Sequence, residues 1–332
     1  MFIVMLDSEE DKLMNVREIY ELFVDLGMKN DPRGWDKVQE ILERTKKDYE
    51  KLSDKEKEKF DLEKLRNPYA DTRILNGDPS KEVKRVLVGI DIDTSEILLA
   101  KELGRNGKEI DLVISHHPSG YAYANFYEVM HLQEDLLAKI GIPINYAEGV
   151  LYPRISEVER KVMPANHNKS VDAARLLEVP FMCCHTPADN CVATYLQKLF
   201  DVKAPYNLQE VIELLEDIPE YKEASKRNNP PKILVGNPKN RAGKIFVDMT
   251  GGTEGPVEII SKLADVGVGT IVGMHMSEEH RKEAEKHHIN VVIAGHMASD
   301  SLGMNILLDN LELRGIEILN CSGFIRVSRV RE

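Results

Sequence analysis

The stretch RVLVGIDIDTSEILLAKELGRNGKEIDLVISHH, residues 85–117, runs from one apolar β-branched segment through a helix pattern into a second, and ends on two adjacent histidines. The same texture recurs down the chain in VPFMCC (179–184), KILVG (232–236), KIFVDM (244–249), GTIVGM (269–274) and INVVIAG (289–295). Short apolar runs alternating with helical patterns define an α/β protein with mixed, largely parallel sheets. Two neighbouring histidines cannot both face a strand's core while Leu112 and Ile114 keep register, so His116 and His117 belong just past the strand. Pro118, without an amide donor, supports a loop there.

Upstream, VREIYELFVDLGM (16–28) spaces Ile19, Leu22, Phe23 and Leu26 on one helix face, and DPRGWDKVQEILERTKKDYEKL (31–52) continues as a second helix. The charged SDKEKEKFDLEKLRNP (53–68) reads as a solvated face. Residues 1–68 are thus expected to be a helical, charged N-terminal segment. The polar IPEYKEASKRNNPP (218–231) marks a boundary, dividing a first α/β half (69–218) from a second (231–332), which can form one compact unit.

The halves look alike. Each shows a strand ending near an aspartate (Asp91, Asp248), a helix pattern, a strand ending in histidine (His116, His275), and a later strand followed by H-x-x-x-D (His185 to Asp189, His296 to Asp300). That pattern points to an internal duplication. The interval from His116 to His185 far exceeds that from His275 to His296, which predicts an insertion in the first half, within residues 148–176.

A net charge of −12 and the absence of a basic block argue against nucleic acid as a partner. No run is long enough for a membrane span, and MFIVMLDSEEDK lacks the cationic and cleavage features of an export signal. Four cysteines without a CxxC pair suit a reduced, cytoplasmic protein, with Cys183 and Cys184 as small core residues.

Chemistry concentrates after the strands. His116, His117, His185, His275 and His296 all follow apolar runs, with Asp91, Asp189 and Asp300 nearby. Ligands bind at the carboxyl ends of strands in open α/β sheets, and imidazole with carboxylate suits zinc, iron or manganese rather than calcium. The diverging His116 and His117 suit a pair of ions about 3.5–4 Å apart. His275 has the weaker claim, and His131, His167, His280, His287 and His288 read as surface residues. In HTPADN, Thr186 reads as an N-cap, Pro187 as the first helical residue and Asp189 as the third. The glycine pair of DMTGGTEGPVE (248–258) reads either as an anion-accepting nest or as a plain tight turn. GVGTIVG is no dinucleotide fingerprint, because its glycines precede a strand.

The pieces LVISHHP, HTPAD, GHMASD and ADTRILNGDPSKEVKRVLVGIDID together resemble the NGG-one interacting factor three (NIF-three) family of dinuclear-metal proteins, which are GTP cyclohydrolase type 2-like. The resemblance covers residues 16–28 loosely and 69–332 more firmly. It implies metal ligands at His116, His117, Asp189, His296 and Asp300, with His185 beside them or against substrate. Asp300 stands where the family usually has a glutamate one methylene longer. The resemblance further implies two similar α/β halves, two divalent ions per chain and a ring-shaped homohexamer. The expected function is metal-dependent hydrolysis of a nucleotide-like small molecule, with His185 as the proton-moving catalytic residue. The alternative is a non-catalytic protein of metal storage, insertion or regulation on the same hexameric scaffold.

Overall fold

A computed structural model describes residues 13–330; the reading of the first twelve residues as carrying no export signal lies outside them. The chain opens with α1 (Val16–Lys29), α2 (Trp35–Lys51) and the short α3 (Asp54–Lys57). The first half continues with β1 (Arg73–Asn76), β2 (Arg85–Gly89), α4 (Thr94–Arg105) and β3 (Leu112–Ser115). Helices α5 (Gly120–Ala124), α6 (His131–Ile140), α7 (Ile144–Val162) and α8 (Lys169–Leu176) then precede β4 (Phe181–Cys183) and α9 (Thr186–Lys203). Next come α10 (Leu208–Glu216), α11 (Pro219–Lys226), β5 (Lys232–Val235), β6 (Lys244–Asp248), α12 (Ile259–Asp265) and β7 (Val268–Gly273). The chain closes with α13 (Glu278–Lys286), β8 (Asn290–Ile293), α14 (His296–Glu312) and β9 (Glu317–Asn320).

The protein is α/β with two mixed, mostly parallel sheets, as expected. Their strand orders, β1-β4-β3-β2-β9 and β5-β8-β7-β6, repeat one another apart from β9. In each sheet the first strand is the antiparallel edge, and the others run parallel through helical crossovers. The repeat reaches further back than the histidine motifs. Asn15 caps α1 and bridges Glu82, just as Asn207 caps α10 and bridges Arg241. Ladder register also corrects one equivalence: Gly89 pairs with Ser115 as Asp248 pairs with Gly273, so Gly89, not Asp91, corresponds to Asp248.

The insertion is longer than the spacing suggested. Helices fill residues 120–176 between β3 and β4, whereas α13 alone links β7 to β8. The segment at 218–231 is no bare linker either, because α11 buries Glu220 and Tyr221 against α14.

Helices α9 and α14 belong to both main cores. Ala188 and Cys191 of α9 pack with Met304 and Leu307 of α14 in one core, while Val192 and Leu196 join Ala298 and Leu302 in the other. A helix buried all round carries no amphipathic stripe, which is why α14 shows none. The edge of β2 is covered by parallel β9. The corresponding edge of β6 is capped by the Gln197 side chain, which accepts from the Val247 amide (3.0 Å) and donates to the Ile245 carbonyl (3.2 Å).

The C-terminal strap is tied down by charge. Arg329 donates to both oxygens of fully buried Glu220 at 2.7 and 2.8 Å, and Asn305 donates to the same carboxylate at 2.7 Å. Removing one partner of such a pair strands the other without its counter-charge, so Glu220→Ala is expected to cost about 3 kcal/mol. Urea unfolding would measure the loss, and an unchanged midpoint would show the strap to be ornamental.

Candidate metal centre

Each candidate ligand is placed by a strand end or a helix start. The β2–β3 ladder runs two residues beyond the strands, with the His116 amide donating to Gly89 and the His117 amide to Ile90, both at 2.9 Å. The chain bends at these two residues, and the two imidazole rings lie tilted to one another with their centres 5.1 Å apart. In the second half Gly295 has a φ of 109°, a left-handed value that suits glycine, and α14 starts on the next residue. His296 and Asp300, four apart in that helix, therefore share a face. Helix α9 starts one residue earlier than the capping pattern suggested. His185 occupies the N-cap position, and the Thr186 hydroxyl instead donates to Asp71 at 2.6 Å.

These elements converge on Asp300. Its Oδ1 lies 3.6 Å from His116 Nε2, and its Oδ2 lies 3.7 Å from His117 Nε2 and 3.5 Å from His296 Nε2. Asp189 Oδ1 completes the first side at 3.5 Å from His116 Nε2. The result is two ligand triads, His116 with Asp189 and His117 with His296, sharing the two oxygens of one carboxylate. A further group joins His185 to His116 and His117.

The donor set fits a divalent metal. His116 Nε2, Asp189 Oδ1 and both Asp300 oxygens are buried without hydrogen-bond partners, a costly arrangement unless something else satisfies them. Ligands about 2.1 Å from one ion stand roughly 3.4 Å apart at tetrahedral angles, close to the separations seen here. Nearby groups orient the rings. His116 Nδ1 faces the Cys184 carbonyl (3.2 Å) and His117 Nδ1 faces Asp91 (2.7 Å), leaving each Nε2 for the centre.

Charge states agree with this role. Burial lowers the pKa of His117 and of His296, so both rings are neutral at neutral pH. Burial alone would raise Asp300, but the surrounding imidazoles of His116, His296 and His117 outweigh it and hold the carboxyl below its usual range. Burial pushes Asp189 well above the usual carboxylate range. A cation at the centre would reverse that shift.

All five expected ligands therefore meet in one cluster, and His185 stands beside them. Asp71 escaped sequence reading, because no periodicity marks an aspartate just before the short β1. It is fully buried, faces His185 Nδ1 at 2.8 Å, and holds that ring's orientation. Phe126, from the insertion, closes on His185 edge-on at 5.6 Å between ring centres. His275 lies closer to the centre than expected, with its ring 5.2 Å from that of His296. His280 is not a surface residue: its Nε2 faces the Gly255 carbonyl at 3.0 Å and its side chain is 13 % exposed. Cys183 and Cys184 are buried and unpaired, as read from the sequence.

Two α/β halves close a buried histidine and aspartate cluster at the carboxyl ends of their strands, and that cluster could hold a metal ion between the repeats. No family model matches the chain, and no curated protein matches it. Among solved structures, a NIF3 superfamily protein from Sphaerobacter thermophilus is 27 % identical with a TM-score of 0.69, the match covering 91 % of this chain and 97 % of that one. Over nearly its whole length the chain is similar to that NIF3 superfamily protein in both sequence and fold. Reduced HcgD from Methanocaldococcus jannaschii matches at 15 % identity and a TM-score of 0.46, over 74 % of this chain and 87 % of that one. A Bacillus cereus protein related to NIF3 matches at 13 % identity and a TM-score of 0.42, over 96 % of this chain and 100 % of that one. Among the described residues, no helix is long and apolar enough to cross a membrane.

Proposed function

We propose that the protein is a dinuclear metal-dependent hydrolase of a nucleotide-like small molecule, working in the cytoplasm as a ring-shaped homohexamer. The observation that carries this reading is the single carboxylate of Asp300 with one oxygen turned to each triad, both lacking any other partner. Zinc, iron or manganese held there would lower the pKa of water and polarise an electrophilic carbon or phosphorus centre.

The chain's own groups supply the rest. His116 and Asp189 would hold metal on one side and His117 and His296 on the other, with Asp300 contributing a carboxylate oxygen to each. His185 is the proton-moving residue: Asp71 binds its Nδ1, so the proton is exchanged at Nε2. Phe126 shields that ring from bulk water on one face.

The test is elemental analysis of protein purified without chelator, followed by a nucleotide hydrolysis screen of the metal-loaded form, beside His185→Ala. Two ions per chain, with turnover falling about 100-fold or more in the variant while metal is retained, is the expected outcome. Bound metal with no turnover, together with metal release to an acceptor protein, would overturn the hydrolase in favour of a metal carrier.

A further inference from the structure

The metal centre opens into a cavity whose far wall carries Asp248 and Glu254. A second cavity shares those two carboxylates and His275, then continues into an apolar chamber between Leu137 of α6, Phe246 of β6 and Ile259 of α12. The charged side chains lining both spaces are acidic apart from the histidines, and neither space has a lysine or arginine in its lining. Buried Asp189, one oxygen of which has no partner, faces the same space.

Glu254 is held in place: its carboxylate accepts from the Ser277 amide at 2.7 Å and lies 3.4 Å from His280 Nδ1. The nearest guanidinium, that of Arg154, donates to the Glu254 backbone carbonyl and to Glu157, leaving the Glu254 carboxylate without a guanidinium partner. The Asp248 carboxylate, exposed at the end of β6, has no hydrogen bond or ion pair among the described residues. Partial loss of water in the pocket wall, with Glu254's charge added, pushes its carboxyl up to about 6, so it remains largely ionised at neutral pH.

A pocket of this charge repels phosphate wherever metal does not neutralise it, and rewards paired N–H donors, which bind carboxylates through charge-assisted hydrogen bonds. We propose that the joined cavity is the substrate-selecting site and takes a ligand with an amidine- or guanidine-type N–H edge on a small apolar body. Asp248 and Glu254 receive that edge, and the apolar body lies toward Leu137 and Ile259. The proposal rests on the metal centre being the reactive end of the site. A nucleotide-like substrate would then turn the N–H-rich edge of its base, and not its phosphates, to this wall.

Calorimetric titration near neutral pH with benzamidine, and with the neutral isostere benzamide, tests the site in wild type, Asp248→Asn and Glu254→Gln, with metal content measured in each sample. The expected result is benzamidine binding at least ~10-fold tighter than benzamide, weakened ~10-fold or more by each substitution, at unchanged metal content. Equal affinity for the two compounds, no benzamidine binding to metal-loaded wild type, or undiminished binding in both variants would overturn the site. A wild type that binds benzamidine but retains no metal would sink the dinuclear reading and leave the acidic subsite standing.

Discussion

Asp300→Ala is expected to strip metal from both sides of the centre at once, whereas His296→Ala should empty one side only. The asymmetry follows from geometry. Asp300 alone places an oxygen in each triad, while His296 approaches Oδ2 and not Oδ1. Elemental analysis after dialysis should find almost no metal in Asp300→Ala and about half the wild-type content in His296→Ala. Stability should follow occupancy: a ligand present at 100 times its dissociation constant contributes about 2.7 kcal/mol, and Asp300→Ala would lose that gain on metal addition. Equal metal loss in the two variants would mean that Asp300 serves one ion and does not bridge.

Gly303→Ala should damage both the fold and the centre, although in an ordinary helix the change is favourable by about 1 kcal/mol. A Cβ at Gly303 would stand 2.3 Å from the Ala188 carbonyl oxygen, where α14 crosses α9. That atom is backbone and cannot swing aside, so the helices must separate. Gly27 shows the same closeness on the other side, a Cβ there standing 2.5 Å from Pro187 Cβ. Overpacking of this kind costs about 1–3 kcal/mol and sometimes more, which outweighs the gain in helix propensity. Asp189 adjoins Ala188, and Asp300 lies one turn before Gly303, so parting the helices also parts the two carboxylates. We expect a lower urea midpoint in the metal-free variant, together with weakened metal retention. A midpoint at or above wild type would show that the crossing has slack.

The seven apolar runs read from the sequence are all strands, each marked by consecutive β-branched and apolar residues between turn signals. The two further strands, RILN at β1 and EILN at β9, were not legible. Each is a four-residue edge strand with only two apolar residues between polar ends, Ile74 and Leu75 in one and Ile318 and Leu319 in the other, too few to stand out as an apolar run. The ligands were legible because histidines and aspartates beside apolar strands are conspicuous. Asp71, Phe126 and Asp248 gained their roles only from elements distant in the chain.

Local chemistry along the chain settles the α/β class, the repeated halves and the residue types of the centre. Side-chain periodicity, glycine at a left-handed position and the four-residue helical repeat act over a few residues, and each can be read in order. Tertiary structure alone decides that Asp300 stands between both histidine groups, that α1 repeats α10, and that the insertion walls the site. Those facts depend on how closely two helices cross at Gly303 and on which sheet edge receives β9, distances set by packing between residues more than a hundred positions apart.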